Sequence, residues 1–150
     1  MDTNLLVQFK DLGVVSVLAF AAMGSALGAG AAGMAAVGAW KKSFAQNKNA
    51  PFILTVFVGA PLSQTIYGMI VMNAFVELAN KGHFMWGAGL FSGIAMGLSA
   101  WMQGKAGAAA ADALGETGKG FGNYLLVLGI IETVALFVMV FVLMAAGKIF

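Results

Sequence analysis

The sequence predicts an all-α integral membrane protein: four transmembrane helices arranged as two antiparallel hairpins, each a duplicate of the other. Three observations predict it. Hydrophobic residues make up 61% of the 150 and charged residues 9%, with a mean hydropathy of +0.91. Soluble domains carry roughly 25% charged residues, so lipid must be the solvent over much of this surface. The apolar residues also fall into four long runs separated by short polar stretches. Finally, those runs are rich in Ala, Leu, Met and Gly and do not alternate with polar residues, which argues for helices over strands. Lipid favours the same choice, because a helix satisfies its own backbone groups.

The runs are Leu12–Val37, Phe52–Ala79, Phe84–Leu114 and Tyr124–Ala146. Each exceeds the roughly 20 residues that cross a bilayer as a helix. The first connector, Trp40–Ala50, holds Lys41, Lys42 and Lys48 and no acid. Asn80–His83 is a tight turn, and Gly115–Gly122 holds Glu116 and Lys119. Short connectors make antiparallel neighbours. Residues 1–80 therefore form the first hairpin and 81–150 the second. The positive-inside rule puts loops 40–50 and 115–122 in the cytoplasm, with both termini and the 80–83 turn opposite. Ala19-Phe20-Ala21 has the pattern of a signal-cleavage site, but the apolar run continues to Val37 and reads as a retained helix.

Composition excludes several function classes. A net charge of +2, with lysines not clustered among aromatics, does not suit nucleic acid. The absence of cysteine rules out thiolate catalysis and Cys-ligated metals, and His83 alone cannot build a His-rich site. No phosphate loop or nucleophile elbow occurs, so the chain is not itself an enzyme. Lys105 and Asp112 share a face of the third helix near its polar end, where snorkelling or mutual pairing accommodates them. Trp86 and Tyr124 suit interfacial aromatic belts.

A shift of 70 positions brings Gly59 onto Gly129, Ser63 onto Thr133 and Met69 onto Met139. A shift of 76 brings Gly28 onto Gly104. With the matching helix order, these favour a duplication. In the first helix Gly24, Gly28, Ala32 and Ala36 recur every four residues. In the third, Gly89, Gly93 and Gly97 do the same, followed on a shifted ridge by Ala100, Gly104 and Ala108. Such ridges let helices approach closely in lipid, where packing replaces the hydrophobic drive. The bulkier second and fourth helices suit an outer, lipid-facing layer.

Glu132 is the one charged residue of the fourth run. An ionisable group there costs roughly 2.5–3.5 kcal/mol on insertion scales, so it must be protonated, paired or ion-bound. Counted from the cytoplasmic ends, Ser63, Gln64 and Gln103 lie within about one helical turn of its depth. Tyr67 shares the face of Ser63 and Gln64. Carboxylate, amide and hydroxyl oxygens suit a hard monovalent cation, and one carboxylate balances one charge. Pro61 lacks an N–H and loosens carbonyls just before Ser63; broken helices supply such ligands in ion carriers. Two converging amides favour Na⁺ over H⁺, because a proton site needs only the carboxylate and one partner.

The stretches Gly24-Ser-Ala-Leu-Gly28, Pro61-Leu-Ser-Gln-Thr-Ile-Tyr-Gly68, Phe91-Ser-Gly-Ile-Ala95, Gln103-Gly-Lys105 and Glu132-Thr133 carry a family resemblance across nearly the whole chain. The sequence resembles the duplicated proteolipid, called c or K, of V-type and archaeal or bacterial A/V-type rotary ATPases, and within it the sodium-binding bacterial branch. The resemblance implies a multi-pass cell-membrane protein assembled as a ring of identical copies. The ring would turn against a stator subunit that supplies a basic residue, with central-stalk subunits at the cytoplasmic loops. It implies Na⁺ (or H⁺) on Glu132, Gln103, Gln64, Ser63 and the Ala60 carbonyl, with Tyr67 hydrogen-bonded to the carboxylate and Thr133 and Pro61 in support. No organic cofactor is implied. Ser63 departs from the threonine usual in that branch. Leu62 stands where the repeat expects a carboxylate, leaving one site per four helices. An H⁺-specific rotor of the same family, a small four-helix drug/proton antiporter and a purely structural or pore-forming proteolipid are the alternative readings.

Overall fold

The structure, a computed structural model, describes residues 9–149. Four long helical segments run up and down. Helix α1 spans Lys10–Ala45. The second segment, Phe52–Asn80, is a chain of pieces: a 3₁₀ turn at Phe52–Leu54, helix α2 at Thr55–Gly59, a second 3₁₀ turn at Ala60–Leu62, and helix α3 at Ser63–Asn80. Helix α4 spans Trp86–Thr117 and α5 spans Phe121–Ile149. No strand occurs among the described residues.

The bounds depart from expectation for physical reasons. Helix α1 runs past Val37, because its polar end is held: Trp40 Nε1 donates to the Pro51 carbonyl at 2.9 Å, and buried Ser43 bonds back to Ala39. Asn47, with φ 53°, then turns the chain. The second run is not one helix. Pro61 cannot donate to the ladder, and the backbone tightens to 3₁₀ around it. Gly118, in the left-handed region at φ 65°, ends α4 and donates to the Leu114 carbonyl.

Three helical segments are long and apolar enough to cross a membrane: Asp11–Ala45, Phe52–Asn80 and Phe121–Ile149. Helix α4, counted above as a fourth crossing, is long enough but less apolar. Gly89, Ser92, Gly93, Gly97, Ser99, Ala100 and Gly104 are among its buried positions, and it packs on α1 and α5, so much of its surface meets protein. The opposite case is α5, the most exposed and most apolar of the four.

Helices α1 and α4 form the inner contact, with α3 against α1 and α5 against α4. The contact is made of glycine. A Cβ on Gly24 would stand 2.0 Å from the Gly97 carbonyl oxygen, and one on Gly104 would stand 2.1 Å from the Gly28 Cα. Gly89 presses on the Gly13 backbone and Gly93 on Ser16 and Val17. Ala32, Ala36 and Ala100 are fully buried on the same ridges. The expected continuation at Ala108 is only half-buried, and the ridge passes instead through Gly107 and Ala111. A strict four-residue repeat drifts around a 3.6-residue helix, so the ridge must reset.

Two apolar clusters fill the interior. One joins Leu54, Phe57, Ala36, Ala111, Leu114 and Leu128 near the connector between α1 and α2. The other joins Val17, Ala21, Val71, Phe75, Met96 and Ala135 towards the opposite end. A thin polar layer lies between them. The connectors after α1 and α4 lie at one end of the bundle, where Lys42 pairs with Glu116. Lys105 lies over the Trp101 ring, 5.4 Å from its centroid, rather than against Asp112. Half-buried Tyr124 packs edge-on to Phe57. The expected side of the termini concerns residues 1–8 and 150, which fall outside the described residues.

Candidate ion site

Pro61 begins the site. The 3₁₀ turn it imposes delivers Ser63 and Gln64 to the first turn of α3, with Gln64 fully buried towards the bundle. Ser63 Oγ lies 3.1 Å from the Ala60 carbonyl oxygen and 3.2 Å from Gln64 Oε1, and its single proton serves one acceptor or the other. Three oxygens from one short stretch are thereby gathered.

Helix α4 contributes Gln103, also fully buried. Its Oε1 accepts from Gln64 Nε2 at 2.9 Å. Its Nε2 donates to the Leu128 carbonyl at 3.0 Å and to Glu132 Oε2 at 3.3 Å. Glu132, half-buried on α5, receives a second bond on Oε1 from Tyr67 at 2.7 Å. Both carboxylate oxygens thus accept hydrogen bonds, and two fully buried amides connect them to the Ser63 and Ala60 oxygens. Burial makes each bond count, because an unmet polar group there would cost roughly 1–3 kcal/mol.

The structure therefore brings together Glu132, Gln103, Gln64, Ser63, the Ala60 carbonyl and Tyr67. Thr133 is not among them: it is exposed, and its hydroxyl turns back on the Ile130 carbonyl at 2.7 Å. A residue next to Glu132 in sequence points about 100° away on a helix. Leu62, the repeat counterpart of Glu132, is 52% exposed and offers no oxygen.

Two contributors escaped the sequence reading. Buried Ser99 donates to the Ile131 carbonyl at 2.9 Å and ties α4 to α5 beside Glu132. It lies one turn before Gln103 on the same face, and that spacing was the available signal. The Leu128 carbonyl, one turn before Glu132, carries no signal at all, since every residue has one.

The donor set is chemically coherent. One carboxylate, two amide oxygens, one hydroxyl and one main-chain carbonyl are hard oxygen ligands with a single formal charge. Among the described residues no cluster of three His, Cys, Asp or Glu exists.

Residues 86–145, which cover α4 and most of α5, match the family model for the C subunit of ATP synthase. Gln103, Ser99, Leu128 and Glu132 all lie inside that match. No curated protein and no solved structure matches the chain. The apolar helices and the match together mark it as an integral membrane protein.

Proposed function

We propose that the chain is the ion-carrying rotor-ring subunit of a V-type or A/V-type rotary ATPase, loading Na⁺ on Glu132. One observation carries the reading: a lone carboxylate in the last apolar helix is held by Tyr67 and Gln103 and joined through buried amides to further oxygens. The match of the second hairpin to the ATP synthase family model supports it. The inner α1–α4 glycine contact and the exposed α5 suit a ring with a narrow inner circle and an outer face towards lipid. Helix α4 crosses the membrane beside α1, shielded by it.

In this reading the ring turns with its Glu132 sites neutralised while they face lipid, because a bare carboxylate is costly there. At the stator a basic side chain replaces the cation and stabilises the free carboxylate. Loops 40–50 and 115–122 face the cytoplasm and the central stalk. With Leu62 in the first hairpin, each four-helix protomer holds one ion. Few ions per turn favour pumping over synthesis.

The test is carbodiimide labelling of the purified protein at mildly acidic pH, with and without Na⁺, read by mass spectrometry. Modification of Glu132 that Na⁺ suppresses is expected. Modification indifferent to Na⁺ would keep the rotor and transfer the cargo to H⁺. An unmodified Glu132 would remove the main support for an ion carrier.

Gln103 separates the two ions further. Gln103→Leu removes one amide ligand and frees the Leu128 carbonyl. Na⁺ affinity is expected to fall by roughly tenfold, the scale of one strong polar contact, while acid-driven protonation of Glu132 persists. An unchanged Na⁺ titration would argue against amide ligation.

A further inference from the structure

Helix α1 also holds a buried polar group that this site does not use. Ser25 is 2% exposed, and its hydroxyl has no hydrogen-bond partner. Its level is fixed by close contacts on either side. A Cβ on Gly68 would lie 2.8 Å from the Ala21 Cβ, and one on Gly28 would lie 2.9 Å from the Pro61 Cβ. The helices are antiparallel, so residue 25 falls opposite residue 64. Gln64 has an unmet need of its own. A glutamine amide carries two hydrogens; one goes to Gln103 Oε1, and the other has no partner inside a fully buried side chain. An acceptor without a donor and a donor without an acceptor therefore share one level of the polar layer.

We propose that Ser25 is a positioning residue of the ion site: its Oγ, unpartnered in this structure, accepts the second Gln64 amide hydrogen once that amide turns, or through one buried water, and so aims Gln64 Oε1 at the cation. The inference rests on the sodium reading of the site. Gln64 Oε1 lies 3.2 Å from Ser63 Oγ. A cation drawing that oxygen towards Glu132 rotates the amide, and Ser25 holds its far side. An amide pinned at both hydrogens has less freedom to lose on binding, which raises affinity.

Ser25→Ala tests it, with the Na⁺ concentration that half-protects Glu132 from carbodiimide as the readout. The expected result is a rise of about fivefold, the scale of one lost hydrogen bond, with the pH dependence of labelling in the absence of Na⁺ unchanged. A second orphaned hydroxyl on the same helix, Ser16, lies more than two turns away from Ser25. Ser16→Ala is expected to leave the Na⁺ curve in place. In a Gln64→Ala background, Ser25→Ala is expected to add nothing, because the two residues act as one unit. Ser25→Cys keeps a side chain of the same shape, slightly larger, with only a weak acceptor, and serves if the alanine variant does not assemble; the same rise is expected. A wild-type Na⁺ curve in either Ser25 variant overturns the proposal. A wild-type protein whose labelling ignores Na⁺ overturns the sodium reading and this inference together, and the unsubstituted control reveals that case at once.

Discussion

Replacing Glu132 by glutamine is expected to leave an assembled protein that moves no ion. Shape is conserved, and the new amide oxygen still accepts from Tyr67, now bonded at 2.7 Å. The amide nitrogen meets Gln103 Nε2, donor to donor, where the carboxylate now accepts at 3.3 Å. That clash costs about 1 kcal/mol, while Gln103 keeps its bond to the Leu128 carbonyl. Against it, removing a chargeable group from the apolar span relieves an insertion penalty of roughly 2.5–3.5 kcal/mol. Folding and oligomer formation should survive for that reason. Binding should not survive. An uncharged ligand forfeits the charge-assisted share of the interaction, about 3 kcal/mol or roughly a hundredfold in affinity. The stator cycle also needs a group that alternates between neutralised and bare, which an amide cannot do. Radiolabelled Na⁺ uptake by vesicles holding the full complex measures the loss, and oligomer size in detergent measures assembly. Uptake at the normal rate would defeat the carrier role of Glu132.

How much of this is legible in the sequence depends on the kind of interaction. Depth in a membrane helix is a matter of counting, so Ser63, Gln64, Gln103 and Glu132 could be set at one level from the chain alone, and the structure does place their side chains within hydrogen-bond reach in sequence. Pro61 announced a break, but not that it would split Phe52–Asn80 into two 3₁₀ turns and two helices. Carbonyl partners such as Leu128 were illegible, because main-chain groups are the same at every position. Ser25 and Ser99 illustrate the ambiguity of serine in a helix, which bonds to its own turn, across to a neighbour, or to nothing. Thr133, which the resemblance named in support, turns its hydroxyl to the Ile130 carbonyl, since the residue after Glu132 points about 100° aside on the helix. The end of α1 was set by Trp40 and Pro51, a contact across eleven residues that apolar periodicity does not register.

The second large effect is expected in the α1–α4 contact. Gly104→Val should prevent assembly, whereas Gly38→Ala should leave it unchanged. At Gly104 the first added carbon would lie 2.1 Å from the Gly28 Cα and 2.2 Å from its carbonyl carbon. Those neighbours are backbone and cannot swing aside as a flexible side chain does. The helices must separate by an ångström or more, and the displacement spreads along α1, since Gly24 and Gly97 are equally tight. Overpacking a well-filled interior costs typically about 1–3 kcal/mol and occasionally more. Here the cost is compounded, because close packing is the chief attraction between helices in lipid. At Gly38 nothing lies within 4 Å of the added carbon. The damage at Gly104 should also reach the ion. Gln103 is its chain neighbour, and a shift of α4 away from α1 moves both amide contacts that join Gln64 to Glu132. Thermal unfolding and oligomer size in detergent, followed by Na⁺ protection of Glu132 on whatever protein remains folded, separate the two losses. An assembled, Na⁺-protected Gly104→Val protein would show that the glycine contact is not what holds the inner helices and the site in register.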